Sequence, residues 1–159
     1  MVNEIMMLQN IIIWGQNLGF QEDAKMVGMY LMFNGKCIEA LKLYEKAFNV
    51  KINEIQKFGD MPPNPNFPVS DNEKDRILHS KFVLDGTEIM CSDSSGESQS
   101  GSNMYVSVTT KNEKLVKQAW DVLKDAGEIY MELQPSFFAL SHGSLQDQFG
   151  INWMFTVLK

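Results

Sequence analysis

Apolar residues along this chain switch between two spacings. Met29, Leu31 and Phe33 alternate, the period of a strand with one buried face, whereas Cys37, Leu41, Tyr44 and Phe48 recur three or four residues apart, the period of a helix with one apolar stripe. Asn34-Gly35 separates the two patterns, and Asn34 is placed to cap the helix. Strands are expected next over 51–58, 77–84 and 87–92, with Asp85-Gly86 as a two-residue hairpin turn and the Pro- and Asn-rich stretch 60–76 as a long connection. The order is β-α-β-β-β.

Residues 93–102 are almost free of apolar side chains and read as a flexible linker. Beyond it the order repeats. A strand is expected over 104–108, then a helix opened by a Thr110/Glu113 capping box and burying Leu115, Val116, Ala119, Val122, Leu123 and Ala126, then strands over 129–133, 137–142 and 151–158. The halves also match residue by residue. Met29-Tyr30-Leu31-Met32-Phe33 resembles Met104-Tyr105-Val106-Ser107-Val108; Leu41, Tyr44 and Phe48 align with Val116, Ala119 and Leu123; and Gly86 with Ile89-Met90 aligns with Gly150 and Trp153-Met154. Internal duplication is the economical explanation. Two such units each have one sheet face that no helix covers, and pairing those faces, in one chain or between two, encloses a cavity.

Composition narrows the function classes. A chain of 159 residues, 44% hydrophobic with ten Phe and three Trp, can build its core without disulfides. A net charge of -6 and the lack of any basic stripe set nucleic acid aside as a partner. Cys37 and Cys91 stand far apart with no CxxC spacing, which suits free thiols in a reducing cytoplasm. Residues 1–25 are expected to be an N-terminal extension: their apolar clusters are interrupted by Gln, Asn and Gly, so they fit neither a signal peptide nor a membrane span, and Met26 is a candidate start. Residues 26–159 are expected to form a single domain, with one module at about 26–93 and the second at about 103–159.

Several segments carry a family resemblance: Tyr30-Leu31-Met32-Phe33-Asn34-Gly35 running to Tyr44, Ile77-Leu78-His79, Ile89-Met90-Cys91-Ser92-Asp93, and Asp147-Gln148-Phe149-Gly150-Ile151-Asn152-Trp153-Met154. They resemble the PhnB-like branch of the vicinal oxygen chelate superfamily, which includes glyoxalase I, extradiol dioxygenases and bleomycin-resistance proteins. The resemblance implies an α+β fold of two tandem βαβββ modules forming a curved eight-stranded sheet around a cavity, usually in a homodimer. Metal-dependent members hold a divalent ion with His or Glu on the first and last strands of each module. Those positions fall here on Gly28, Met90, Asn103 and Met154, and their neighbours offer no His, Asp or Glu, so no metal and no cofactor are expected. Some PhnB-like sequences carry a demethylubiquinone methyltransferase label. This chain has no Gly-rich strand-to-helix turn of the kind that cradles a nucleotide cofactor.

Strand alternation selects the cavity-facing residues. His79 and Lys81 are expected to face the hollow while Leu78, Ser80, Phe82 and Leu84 face the helix. His79 reads either as an acid, base or anion-binding donor titrating near neutrality or as a structural histidine at a strand end. Glu54 could supply a carboxylate across the hollow, and Glu88 and Ser92 flank Met90. Tyr30, Met32, Met90, Tyr105 and Met154 form an expected aromatic and thioether wall, Asn152 shares a face with Met154, and Phe138 stands at the cavity mouth. The functional expectation is a metal-free binder of an unknown small molecule. The rival is a lyase- or isomerase-type enzyme using His79 with a cavity carboxylate or an unidentified metal site. Neither histidine completes a nucleophilic triad, and no membrane partner is expected.

Overall fold

A computed structural model describes residues 27–66, 68–94 and 101–159. The expected N-terminal extension, and residues 95–100 of the expected linker, lie outside the described residues. The first module runs β1 (Met29–Phe33), α1 (Cys37–Phe48), β2 (Ile52–Lys57), a single 3₁₀ turn (Phe58–Asp60), β3 (Ile77–Leu84) and β4 (Thr87–Asp93). The second runs β5 (Val106–Thr110), α2 (Glu113–Leu123), β6 (Glu128–Gln134), β7 (Ala139–Gln146) and β8 (Asn152–Leu158). The fold class is α+β, with tandem βαβββ modules. The strands form two separate four-stranded sheets, ordered β1-β4-β3-β2 and β5-β8-β7-β6. In each, the first strand runs parallel to the last, as a helical crossover requires, and the other pairings are antiparallel.

The helices lie between the sheets. α1 packs on β3 and β4, α2 on β5 and β8, and the two helices pack on each other. Tyr44, fully buried on α1, joins both halves: its ring meets Phe33 and Phe82 of the first sheet and Trp153 of the second. Its hydroxyl donates to Asp147 Oδ2 at 2.8 Å, and that oxygen also accepts from Trp153 Nε1 at 2.9 Å. Asp147 Oδ1 accepts from the backbone N–H groups of Phe149 and Ile151. Four donors thus converge on one buried carboxylate, the condition under which burying a charge is tolerated. Burial nevertheless holds its pKa above the ordinary aspartate value.

Local chemistry explains where the elements depart from expectation. Asn34 does not cap α1: the residue before the helix is Lys36, which makes no side-chain cap, and the first N–H, of Cys37, donates instead to Asp93 Oδ1 at 2.9 Å. Asp93 Oδ2 also accepts from Ile77 N, so this residue is the buried end of β4 rather than linker. α2 is capped by Asn112, which accepts from Leu115 N, while Thr110, two residues earlier at the end of β5, accepts from Asn112 N. Asp85 (φ 49°) and Gly86 (φ 80°) form the expected left-handed hairpin pair.

The duplication is also refined. With Leu31 equivalent to Val106, strand pairing makes Cys91, not Ile89, the counterpart of Trp153. The sequence alignment of β4 with β8 is therefore two residues out of step. A two-residue turn closes β3 and β4, whereas residues 147–151 close β7 and β8. Among the described residues no helix is long and apolar enough to cross a membrane.

Candidate functional site

On β3, Ser80, Phe82 and Leu84 are buried against the helix layer, and His79, Lys81 and Val83 emerge on the outer face. Leu78, expected to share the buried row, is only half-buried. Antiparallel pairing sets Met90 opposite Lys81, and parallel pairing sets Tyr30 beside Met90, so Tyr30, Met90 and Lys81 form one row across the sheet. Met32, two residues beyond Tyr30 and 43% exposed, extends the same face, and Gln56 of β2 pairs with His79.

Glu54 reaches this row through a backbone irregularity. The β2–β3 register shifts between Asn53 and Gln56, and Glu54, within that shift, adopts φ 56°, which is costly for a residue bearing a Cβ. Its Oε1 lies 3.0 Å from Lys81 Nζ, and Glu88 Oε2 approaches the same ammonium at 3.3 Å. The bond from Glu54, followed by that from Glu88, raises the Lys81 pKa despite the opposing effect of burial. Both carboxylates therefore close on Lys81, and neither is hydrogen-bonded to His79, where an acid-base pair was looked for.

The Tyr30 and His79 rings lie 6.3 Å apart, tilted by 42°. Tyr30 Oη and His79 Nδ1 are both shielded from solvent and, among the described residues, neither has a partner in full hydrogen-bonding geometry, although Ser92 lies close enough to Tyr30 Oη to offset part of the rise in its pKa. Desolvation raises the Tyr30 pKa and lowers that of His79, where it outweighs the pull of Glu54 and Glu88. The site thus presents a phenol, an imidazole biased toward neutrality, a paired ammonium and two thioethers. It can hold a partly apolar molecule and meet it with two uncommitted polar atoms.

The second sheet carries the other four candidates. Met154 pairs with Ser107 and is half-buried, as is Tyr105, just ahead of β5. Phe138 meets His142 edge-on at 5.1 Å, and His142 Nδ1 lies 3.0 Å from Thr156 Oγ1. Asn152 has a structural task. Its Nδ2 donates to the carbonyls of Gly101 and Met104, and its Oδ1 accepts from Gln146 Nε2, fastening the segment that leads into β5. Because the helices fill the space between the inner faces, the two groups of candidates face away from each other within one chain. The residue that sequence reading undervalued is Glu88: alternation put it on the right face, but only the β3–β4 pairing brings it to Lys81.

The superfamily's metal positions do not suit a hard cation here. Gly28 has no donor side chain, Met90 and Met154 offer thioethers, and Asn103 offers an exposed amide. Correcting the repeat by two residues exchanges Met154 for Asn152, or Met90 for Ser92, and adds neither imidazole nor carboxylate. Among the described residues, no group of three His, Cys, Asp or Glu side chains is placed to hold a metal ion. Cys37 and Cys91 are buried free thiols, and burial pushes Cys91 up to about 12, so neither is a thiolate near neutral pH.

Known proteins share this framework. The curated relative Protein YjdN of Escherichia coli K12 is 28% identical over 137 residues, which span 82% of this chain and 93% of YjdN. The crystal structure of protein PA1353 from Pseudomonas aeruginosa superposes with a TM-score of 0.72 at 27% identity, covering 84% of this chain and 97% of that one. The fold alone is shared with the fosfomycin resistance protein FosX from Listeria monocytogenes, solved with Mn(II) and 1S,2S-dihydroxypropylphosphonic acid: TM-score 0.59, 9% identity, 86% of this chain and 94% of that one. The family model described as 3-demethylubiquinone-9 3-methyltransferase matches residues 25–156. The chain belongs to that family, and it is similar over 83% of its length to the PhnB protein from Bacillus cereus, at 27% identity and a TM-score of 0.67.

Proposed function

We propose that this protein is a cytoplasmic homodimer that binds a small molecule without a resident metal, on the outer face of the first sheet, with the second sheet of a partner copy closing over it. The observation that carries the reading is the pair of solvent-shielded polar atoms, Tyr30 Oη and His79 Nδ1, which find no hydrogen-bond partner among the described residues, on a face walled by Met32 and Met90. An unsatisfied buried polar group costs about 1–3 kcal/mol, a cost that a ligand or partner copy reordering this face would relieve. Closure by a second copy is supported by the outward-facing apolar side chains of the second sheet, among them Met131, Phe138 and Leu140, which are large for surface residues of an isolated monomer.

FosX, on the same fold, was solved with Mn(II); the thioethers of Met90 and Met154 and the amide of Asn103, at the positions the family resemblance assigns to a metal, favour binding that does not use a cation. The family's name describes methyl transfer, but the mixed four-stranded sheets provide, among the described residues, no doubly wound nucleotide crevice. Native mass spectrometry of protein purified without chelator tests the reading. It should show a dimer carrying less than stoichiometric metal, and stoichiometric manganese, zinc, nickel or iron would overturn the metal-free proposal. An enzymatic role for His79 would instead appear as turnover on lyase or isomerase substrates that His79→Ala abolishes while ligand-induced thermal shifts persist.

A further inference from the structure

The charge arrangement around Lys81 bears on which ligand the face accepts, given the binding role proposed above. A lysine on a pocket wall ordinarily suggests an anion anchor. Here the ammonium is already shared between Glu54 at 3.0 Å and Glu88 at 3.3 Å, so one positive charge meets two negative ones. The triplet is only partly solvated, with Lys81 24%, Glu88 31% and Glu54 46% exposed, so its excess negative charge is incompletely screened. His79, the other potential cation on this face, is driven toward its neutral form by desolvation. The chain as a whole carries -6, which adds attraction for cations at longer range.

We propose that the Tyr30–His79–Lys81 face selects a cationic ligand with a flat aromatic body, an aryl amidine, and disfavours carboxylates and phosphonates. The aromatic body lies against Met32, Met90 and the Tyr30 ring, where polarizable thioethers adapt to flat surfaces. The ligand's N–H groups meet the Glu54 and Glu88 carboxylates, which are only partly engaged by Lys81 and accept them. Its positive charge supplies the second counterion that the two glutamates lack. An anion would find the only ammonium of this row occupied and both carboxylates opposing it.

The test uses three probes of matched shape, benzamidine, benzamide and benzoate, titrated into the full-length protein while the His79 ring resonances are followed by NMR and affinities are measured by calorimetry. Benzamidine should move the His79 signals and bind at least about tenfold more tightly than benzoate, a difference of about 1.4 kcal/mol. Glu88→Gln and Glu54→Gln, conservative changes on a partly exposed face, should each narrow that preference to within about threefold. Equal affinities for all three probes, or a preference for benzoate, with the His79 signals still shifting would overturn the charge selection and leave the binding face standing. If none of the probes moves the His79 signals and all shifts fall elsewhere, the charge selection and the proposed binding face fall together.

Discussion

The outer faces of the two sheets come from the same duplicated plan, yet they treat their polar groups in opposite ways. On the second sheet the polar side chains satisfy one another: His142 with Thr156, Gln146 with Asn152, and Asn152 with two carbonyls ahead of β5. On the first sheet a buried phenol oxygen and imidazole nitrogen find no partner among the described residues, and a strained Glu54 orients a lysine. A closed hydrogen-bond network fixes a shape, whereas an open one invites an external partner. On the proposed reading, recognition falls to the first module and enclosure to the second.

The largest effect should come from the junction that keeps these faces turned apart. Asp147→Ala removes the acceptor of four hydrogen bonds and strands the buried Tyr44 hydroxyl and Trp153 indole N–H; urea denaturation should show a loss of about 3–5 kcal/mol. Next, Phe138→Asp puts a charge on the enclosing face without touching the first sheet, and should raise the dimer dissociation constant at least about tenfold in analytical ultracentrifugation. An unchanged dimer would remove the enclosing role from that face. Tyr44→Phe deletes a single bond to Asp147 and should cost about 1–2 kcal/mol in the same denaturation assay.

The smallest effect is electrostatic and belongs to the first face alone. His79 should titrate by NMR below the ordinary histidine value of about 6.5. A histidine kept neutral by the fold takes up its proton more readily when unfolded. Its contribution to stability is therefore complete above the unfolded value and declines as pH falls below it. Because Glu88 opposes the depression, Glu88→Gln should lower the midpoint further, and a rise would contradict the described electrostatics.

Much of the architecture was legible because each module obeys simple periodicities. β3 falls on the expected residues, and the helix stripe through Leu41, Tyr44 and Phe48 is buried as its spacing required. What pattern reading misses is anything set between distant segments. Asp93 supplies from the end of β4 the cap that Asn34 was placed to give, because a helix N–H accepts any oxygen that tertiary structure delivers. Reading 51–58 as a regular strand overlooked the register shift at Glu54, since a bulge leaves no period-two signature. The site was legible as a set of residue types on a face, but not as a set of pairings. No spacing rule says that both glutamates settle on Lys81 and leave His79 open.

The convergence of both halves on Asp147 also bears on how such a protein can change over time. Tyr44 is inherited with the first copy of the repeat, while Asp147 and Trp153 are inherited with the second, so exchanging one copy for a homologous one brings a mismatched lock to the seam unless all three travel together. Divergence of the two outer surfaces is unconstrained by that lock. New specificities can accumulate on the periphery while the seam stays fixed.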